Sequence, residues 1–175
     1  MVTDLYSKLF EQRIIFLITD ITGESANLIK SQLLYLDQLS NDPIKLYIDS
    51  NGGEVYTCMG LIDTMKYIKS PVETVNIGIC ASMGAIILCC GDSRKSLPNS
   101  RVMIHQPTGG RFGQVDDILI TSKELLRIRK VLYKILSEKT GKTVKEIEKD
   151  SERDMWMDAK ESLKYGLIDK IIETK

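Results

Sequence analysis

The chain has 175 residues, 43% hydrophobic and 27% charged, and its 24 Lys and Arg balance its 24 Asp and Glu. That length and composition predict one globular domain spanning residues 1–175, and a net charge of zero with no basic stripe argues against nucleic-acid binding. No apolar run approaches the roughly 18–20 residues of a membrane span, and MVTDLYSKLFEQR lacks the apolar stretch and cleavage site of a secretory signal, so the expected location is cytoplasmic.

Short apolar runs alternate with longer helical patterns. Arg13 to Thr19 (RIIFLIT) reads as a buried strand, followed by a helix from about Glu24 to Leu39. Ile44 to Ile48 is the next strand, broken sharply by Asn51-Gly52-Gly53. A helix over about Val55 to Ile68 then places Val55, Cys58, Met59, Ile62 and Met65 on one stripe. Val72 to Ile79 is a third strand, Ser82 to Cys90 an apolar helix ending at Gly91, and Arg101 to Ile104 a fourth strand. Strands alternating with helices of this length predict α/β crossovers and a largely parallel sheet.

The pattern changes after His105. Thr108 to Gly113 is glycine-rich, and an amphipathic helix from about Val115 to Lys139 keeps Leu119, Leu125, Leu126, Ile128, Leu132 and Ile135 at helical spacing before Gly141 stops it. Thr143 and Glu146 form a capping-box signature for another helix. A last helix, near Ala159 to Tyr165, stops at Gly166 before a final strand, Leu167 to Ile172. A helix of 115–139 projecting from an α/β body leaves an apolar stripe that oligomerisation would cover.

Cys58, Cys80, Cys89 and Cys90 include no C-x-x-C, and the single histidine leaves no His/Cys metal site. Reduced, mostly buried thiols are the expectation.

Ser82 stands directly after a strand and at the start of a helix, where a hydroxyl is held at a tight turn and backbone N–H groups can face a developing oxyanion. The same position equally suits a plain N-cap serine. Cys80 also stands where the G-x-S-x-G elbow has its first glycine. His105, the one histidine, follows the strand RVMI, and strand ends are where ligand crevices form in α/β sheets. Imidazole is the natural base for a serine hydroxyl, although a structural histidine would occupy the same place. An acid must orient that ring, and Asp154 is attractive because Met155-Trp156-Met157 would bury it near the core; many surface aspartates fit equally. Gly52 and Gly53 permit close backbone approach, either as an oxyanion-hole track or as an ordinary strand-to-helix turn.

Taken in order, these pieces resemble the proteolytic subunits of the Clp proteases, the ClpP family, from about Asp4 to Ile172. The most specific stretches are Ala81-Ser82-Met83-Gly84-Ala85, Leu97 to Pro107 (LPNSRVMIHQP) and Glu152-Arg153-Asp154; Asp63-Thr64-Met65 and Tyr165 to Asp169 also match. The resemblance implies an α/β fold of the ClpP/crotonase type, with a compact head and a protruding handle over about 108–140. It implies Ser82 as nucleophile, His105 as base, Asp154 as acid, and the backbone N–H groups of Gly53 and Met83 as oxyanion hole. It further implies a ring-to-ring contact at Glu152 and Arg153, and an ATPase docking pocket at Tyr47 and Tyr67 where Lys45 replaces an aromatic.

The implied protein is a serine endopeptidase cutting unfolded polypeptides inside seven-membered rings stacked as a tetradecamer. An AAA+ ATPase of the ClpX, ClpA or ClpC type would feed it, and a paralogous ClpP subunit would be a further partner. No cofactor or metal is implied in this chain, ATP being used by the ATPase. Asn51 departs from the family's proline, the segment between Ser82 and His105 is slightly short, and the chain begins near its first helix, without the segment that forms the family's axial loops. Two rival readings are a catalytically silent or partner-dependent ring subunit, and a crotonase-like acyl-CoA enzyme.

Overall fold

The structure, a computed structural model, describes residues 2–173; Met1, Thr174 and Lys175, the ends of the expected unit, lie outside them. A ribbon of parallel strands runs in the order β1 (Ile14–Leu17), β2 (Ile44–Ser50), β3 (Val72–Ala81), β4 (Ser93–Ser96) and β7 (Lys170–Ile171). β2 alternates cleanly, with Ile44, Leu46 and Ile48 fully buried and Lys45 and Asp49 exposed, so one face of the ribbon is core.

That face is covered by α2 (Gly23–Leu39), through Ala26, Ile29, Leu33 and Leu36, and by α3 (Val55–Tyr67), through Cys58, Leu61, Ile62 and Met65. Val55 and Met59, expected on the same α3 stripe, are only partly buried. Every residue of α4 (Met83–Cys90) is buried, as its unbroken apolar run requires.

β3 is long enough to serve two partners. Its first half pairs with β4 through Glu73–Asn76, and its last residues, Ile79–Ala81, pair with β5 (Arg101–Ile104). The fork is pinned by buried Asn76, whose side-chain amide donates to the Arg101 carbonyl at 2.9 Å and accepts from the Gly78 N–H at 3.2 Å. β2 shifts register at the same level, and the Asp49 carboxylate accepts from the Ile79 N–H at 2.9 Å. A Cβ at Gly78 would stand 2.5 Å from that carboxylate, which would have to shift to admit it. β5 continues the second layer into β6 (Met155–Asp158), its antiparallel partner.

The handle helix α5 (Val115–Thr140) has 26 residues, but only its last part is buried, through Leu132, Tyr133 and Leu136. Leu119 and Leu126, on the expected stripe, are about half exposed. Gly141 ends it in the left-handed conformation, and α6 (Val144–Asp150) opens with the expected Thr143–Glu146 capping box. α7 (Ala159–Tyr165) stops at Gly166 as expected.

Three expectations need correction. The first strand begins at Ile14, because Arg13 turns to φ 61° and its guanidinium caps α2, donating to the carbonyls of Leu36, Ser40 and Asp42. The final strand shrinks to Lys170–Ile171, because Leu167 and Ile168 leave the helix as buried plugs of the core. β4 and β6 went unseen: β4 is the polar run Ser93–Ser96, and β6 falls in a segment read only for its burial. Helix α1 (Val2–Glu11) precedes them all and packs aromatic on aromatic, Tyr6 edge-on to Phe16 and Phe10 stacked on Tyr35.

Candidate active site

Ser82 sits where β3 ends and α4 begins, at φ 53° and ψ −122°, a conformation side-chain-bearing residues rarely adopt. Its hydroxyl makes no capping bond to α4. The side chain turns away instead, and Oγ lies 2.8 Å from Nε2 of His105. The plain N-cap reading therefore fails, and the strained turn is an elbow that presents the hydroxyl to its neighbour.

Backbone contacts hold that elbow. The Ser82 N–H donates to the Met103 carbonyl at 2.9 Å, tying the turn to the strand that delivers His105. A Cβ on Gly52 would fall 2.7 Å from the Ala81 carbonyl oxygen and 2.9 Å from both the Met83 nitrogen and Ser82 Cβ. One on Gly53 would fall 2.1 Å from the Ile21 carbonyl oxygen, and one on Gly84 2.9 Å from that of Ser50. The loop after β2 thus lies directly on the elbow, at a distance only glycine allows.

Around Gly53 the chain pairs with Ile21, through Ile21 N–H to the Gly52 carbonyl at 2.8 Å and Glu54 N–H to the Ile21 carbonyl at 2.9 Å. Those two bonds bracket Gly53 and leave its own N–H outside the pairing. Met83 opens α4, where the first N–H groups have no partner within the helix. Gly53, Ser82, Met83 and His105 all line one cleft, floored by apolar Ile86, Leu132 and Leu136. Two backbone amides beside the Ser82 hydroxyl in such a cleft are suited to bind an oxyanion.

Asp154 completes a line of three. Its Oδ1 lies 3.3 Å from His105 Nδ1, while the imidazole is 20% exposed and the carboxylate 59% exposed. The expected burial of Asp154 is wrong: Met157 points into the core, but Trp156 faces outward at 52% exposure, so the apolar stretch does not shield the acid. Position comes from the backbone instead. Gln106, next to His105, donates its N–H to the Ser151 carbonyl at 2.8 Å and its side-chain amide to the Glu152 carbonyl at 3.2 Å.

Residues 1–175 match the family described as Clp protease. The chain belongs to the Clp protease family. Two of its relatives carry the name in full. An "ATP-dependent Clp protease proteolytic subunit" of Porphyromonas gingivalis is 51% identical over 175 residues, covering 97% of this chain and 78% of that protein. An "ATP-dependent Clp protease proteolytic subunit 1" of Salinibacter ruber is 46% identical over 172 residues, covering 97% of this chain and 74% of that protein. Membership in the Clp protease family makes the chain a serine peptidase subunit of Clp type, and its mixed α/β architecture fits the ClpP fold.

The other residues singled out by the resemblance to the Clp family are dispersed. Tyr47 stacks on Phe16 at 5.5 Å and lines an open cleft with Lys45, Glu73 and Lys95, the last two joined by an ion pair. Tyr67 does not line that cleft; it ends α3 at 81% exposure. Glu152 and Arg153 are exposed in the turn before β6, and among the described residues neither side chain forms an ion pair.

Two supporting residues escaped the sequence reading. Ser50 donates its hydroxyl to the Thr19 carbonyl at 2.6 Å and accepts the Gly52 N–H at 3.1 Å, fixing the glycine loop. A serine just before Asn-Gly-Gly was a readable signal for such a turn. Gln106 carried no signal beyond adjacency to His105.

The four cysteines are free and buried, as expected. Burial pushes the thiols of Cys58 and Cys89 up to about 12, and those of Cys80 and Cys90 upward as well. A buried neutral thiol is a poor nucleophile, and none of the four lines the cleft.

Proposed function

We propose that Ser82, His105 and Asp154 are the catalytic triad of an endopeptidase that cuts unfolded polypeptides. The observation that carries this is the 2.8 Å contact between Ser82 Oγ and His105 Nε2 on a strained elbow that spends its hydroxyl on no structural bond. With the proton of the ring on Nδ1, facing Asp154, the lone pair of Nε2 receives the serine proton as Oγ attacks the scissile carbonyl. The amides of Gly53 and Met83 then hold the oxyanion, the imidazolium protonates the leaving amine, and water releases the acyl group by the reverse sequence.

No cofactor enters these steps, so hydrolysis needs none in this chain. The apolar floor of Ile86, Leu132 and Leu136 favours an apolar side chain before the cut. In the same reading the subunit works in stacked seven-membered rings, forming a tetradecamer fed by an AAA+ Clp ATPase in the cytoplasm. The handle supports assembly: Phe112, Val115 and Ile120 are each at least 65% exposed, too much apolar surface at one end to leave in water. Among the described residues, no helix is long and apolar enough to cross a membrane.

The test is covalent labelling with a fluorophosphonate, alongside peptide hydrolysis by the purified assembly. Label on Ser82 and loss of several orders of magnitude in kcat/KM in Ser82→Ala are expected. Full activity in Ser82→Ala would end this assignment.

A further inference from the structure

The handle helix reaches the cleft with one end only. Its 26 residues span about 39 Å, yet the buried positions are confined to Leu132, Tyr133 and Leu136, all three of which line the catalytic cleft. The preceding half therefore needs another anchor if the floor is to stay in place. Among the described residues, a single side-chain hydrogen bond or ion pair joins residues 115–128 to the head: the Tyr56 hydroxyl donates to Glu124 Oε1 at 2.7 Å.

Both ends of that bond are tied to the chemistry. Tyr56 is in the first turn of α3, three residues after Gly53 and one after Val55, which lines the cleft. Glu124 precedes Leu132 by eight residues, about 12 Å along α5. Between them lies a second pocket, apolar at Met59, Ile128 and Val131 and rimmed by Tyr56, Glu124 and Arg127. Val55 and Leu132 belong to this pocket and to the catalytic cleft alike, so they are the wall between the two. Any drift of α5 away from α3 would move that wall. The hydrogen bond to Glu124 also raises the titration of the Tyr56 phenol, so the hydroxyl remains a donor through the neutral range.

We propose that Tyr56 is a positioning residue: by hydrogen bonding Glu124 it clamps the handle helix to α3 and sets the width of the cleft that receives the substrate side chain before the cut. The inference rests on the proposed peptidase reading, and it adds a residue that touches neither substrate nor triad.

Tyr56→Phe removes the hydroxyl and keeps the ring. In the intact assembly, amide hydrogen exchange over 115–128 is expected to accelerate severalfold. KM for a peptide with leucine before the cut is expected to rise about three- to tenfold with kcat unchanged, while a peptide with alanine there keeps its KM. Glu124→Gln still offers a carbonyl oxygen and should retain the original values; Glu124→Leu should reproduce Tyr56→Phe. The combined Tyr56→Phe and Glu124→Leu variant should lose no more than either alone, because one bond cannot be removed twice. Unchanged exchange and KM in Tyr56→Phe, or additive losses in the combined variant, would overturn the clamp. Failure of a fluorophosphonate to label Ser82 in the unsubstituted chain would instead strike the peptidase reading, while the exchange arm would still decide the clamp.

Discussion

The backbone N–H of Gln106 is bonded to the carbonyl of Ser151 at 2.8 Å, and this fastens the strand end that carries His105 to the turn that carries Asp154. The base and acid proposed for the triad, from distant parts of the chain, are thus held by main chain rather than by a buried carboxylate. Removing the charge should matter more than loosening the turn. Asp154→Asn is expected to lower kcat by about a hundredfold or more, whereas Gln106→Leu, which deletes only the side-chain bond, should cost about threefold to tenfold. Steady-state peptide hydrolysis by the two variants checks the order; the reverse order would mean that Asp154 does not orient His105.

Gly52 presses on the Ser82 elbow at φ +99°, with no room for a Cβ between it and Ala81, Ser82 and Met83. Gly52→Ala should therefore displace the elbow and lower kcat/KM by at least a hundredfold, with about 1–3 kcal/mol of lost stability. Gly23, at the start of α2, has nothing within 4 Å of its missing Cβ. Gly23→Ala should leave turnover unchanged and the thermal midpoint equal or higher. Turnover and melting measured on both variants separate local crowding from a general sensitivity to lost glycine.

Asp169 is held below the ordinary aspartate value of 3.8, chiefly by the hydrogen bond from the Arg94 guanidinium. Arg94 also donates to the carbonyls of Lys139 and Gly166, so one cation ties the end of α5 and the exit of α7 to β4. A native carboxyl depressed below its unfolded value stabilises fully at pH well above 3.8, and that contribution disappears as pH falls through the lower native value. The unfolding midpoint of Asp169→Asn should thus lie below that of the unsubstituted chain at pH 7, and the gap should close in acid. A gap that stays constant from neutral pH to about pH 3 would show that the ionised carboxylate contributes nothing.

The thiols of Cys58, Cys80, Cys89 and Cys90 are buried, and all are pushed upward in titration. An aromatic disulfide reagent at pH 8 should therefore react with none of them in the folded protein, and with all four once denaturant is added. Rapid reaction in the native state would place at least one thiol at the surface.

Apolar periodicity made α2, α3 and α5 legible, because a one-sided stripe repeats every 3.6 residues whatever the tertiary context, while α4 was legible as an unbroken apolar run and α6 by its cap. Arg101–Ile104 and Ala159–Tyr165 were bounded to the residue, and the Thr143–Glu146 cap was read correctly. β4 was not legible: Ser93–Ser96 is polar and is made a strand only by pairing with β3. Its hydrogen bonds come from the neighbouring strand, and no pattern within four residues records them.

Ser82, His105, the glycine pair and Asp154 were nameable from local position and family likeness, since each stands at a strand end, a sharp turn or a distinctive motif. What the linear order left open was whether Ser82 caps a helix or faces an imidazole. That was decided by the folding of β3 beside β5, which sets Oγ 2.8 Å from Nε2 across 23 residues. The exposure of Asp154 and the reach of Tyr56 to Glu124, 68 residues away, belong to the same class of fact. Local propensity acts over a few bonds; a distance between side chains far apart in sequence exists only once packing has brought their elements together.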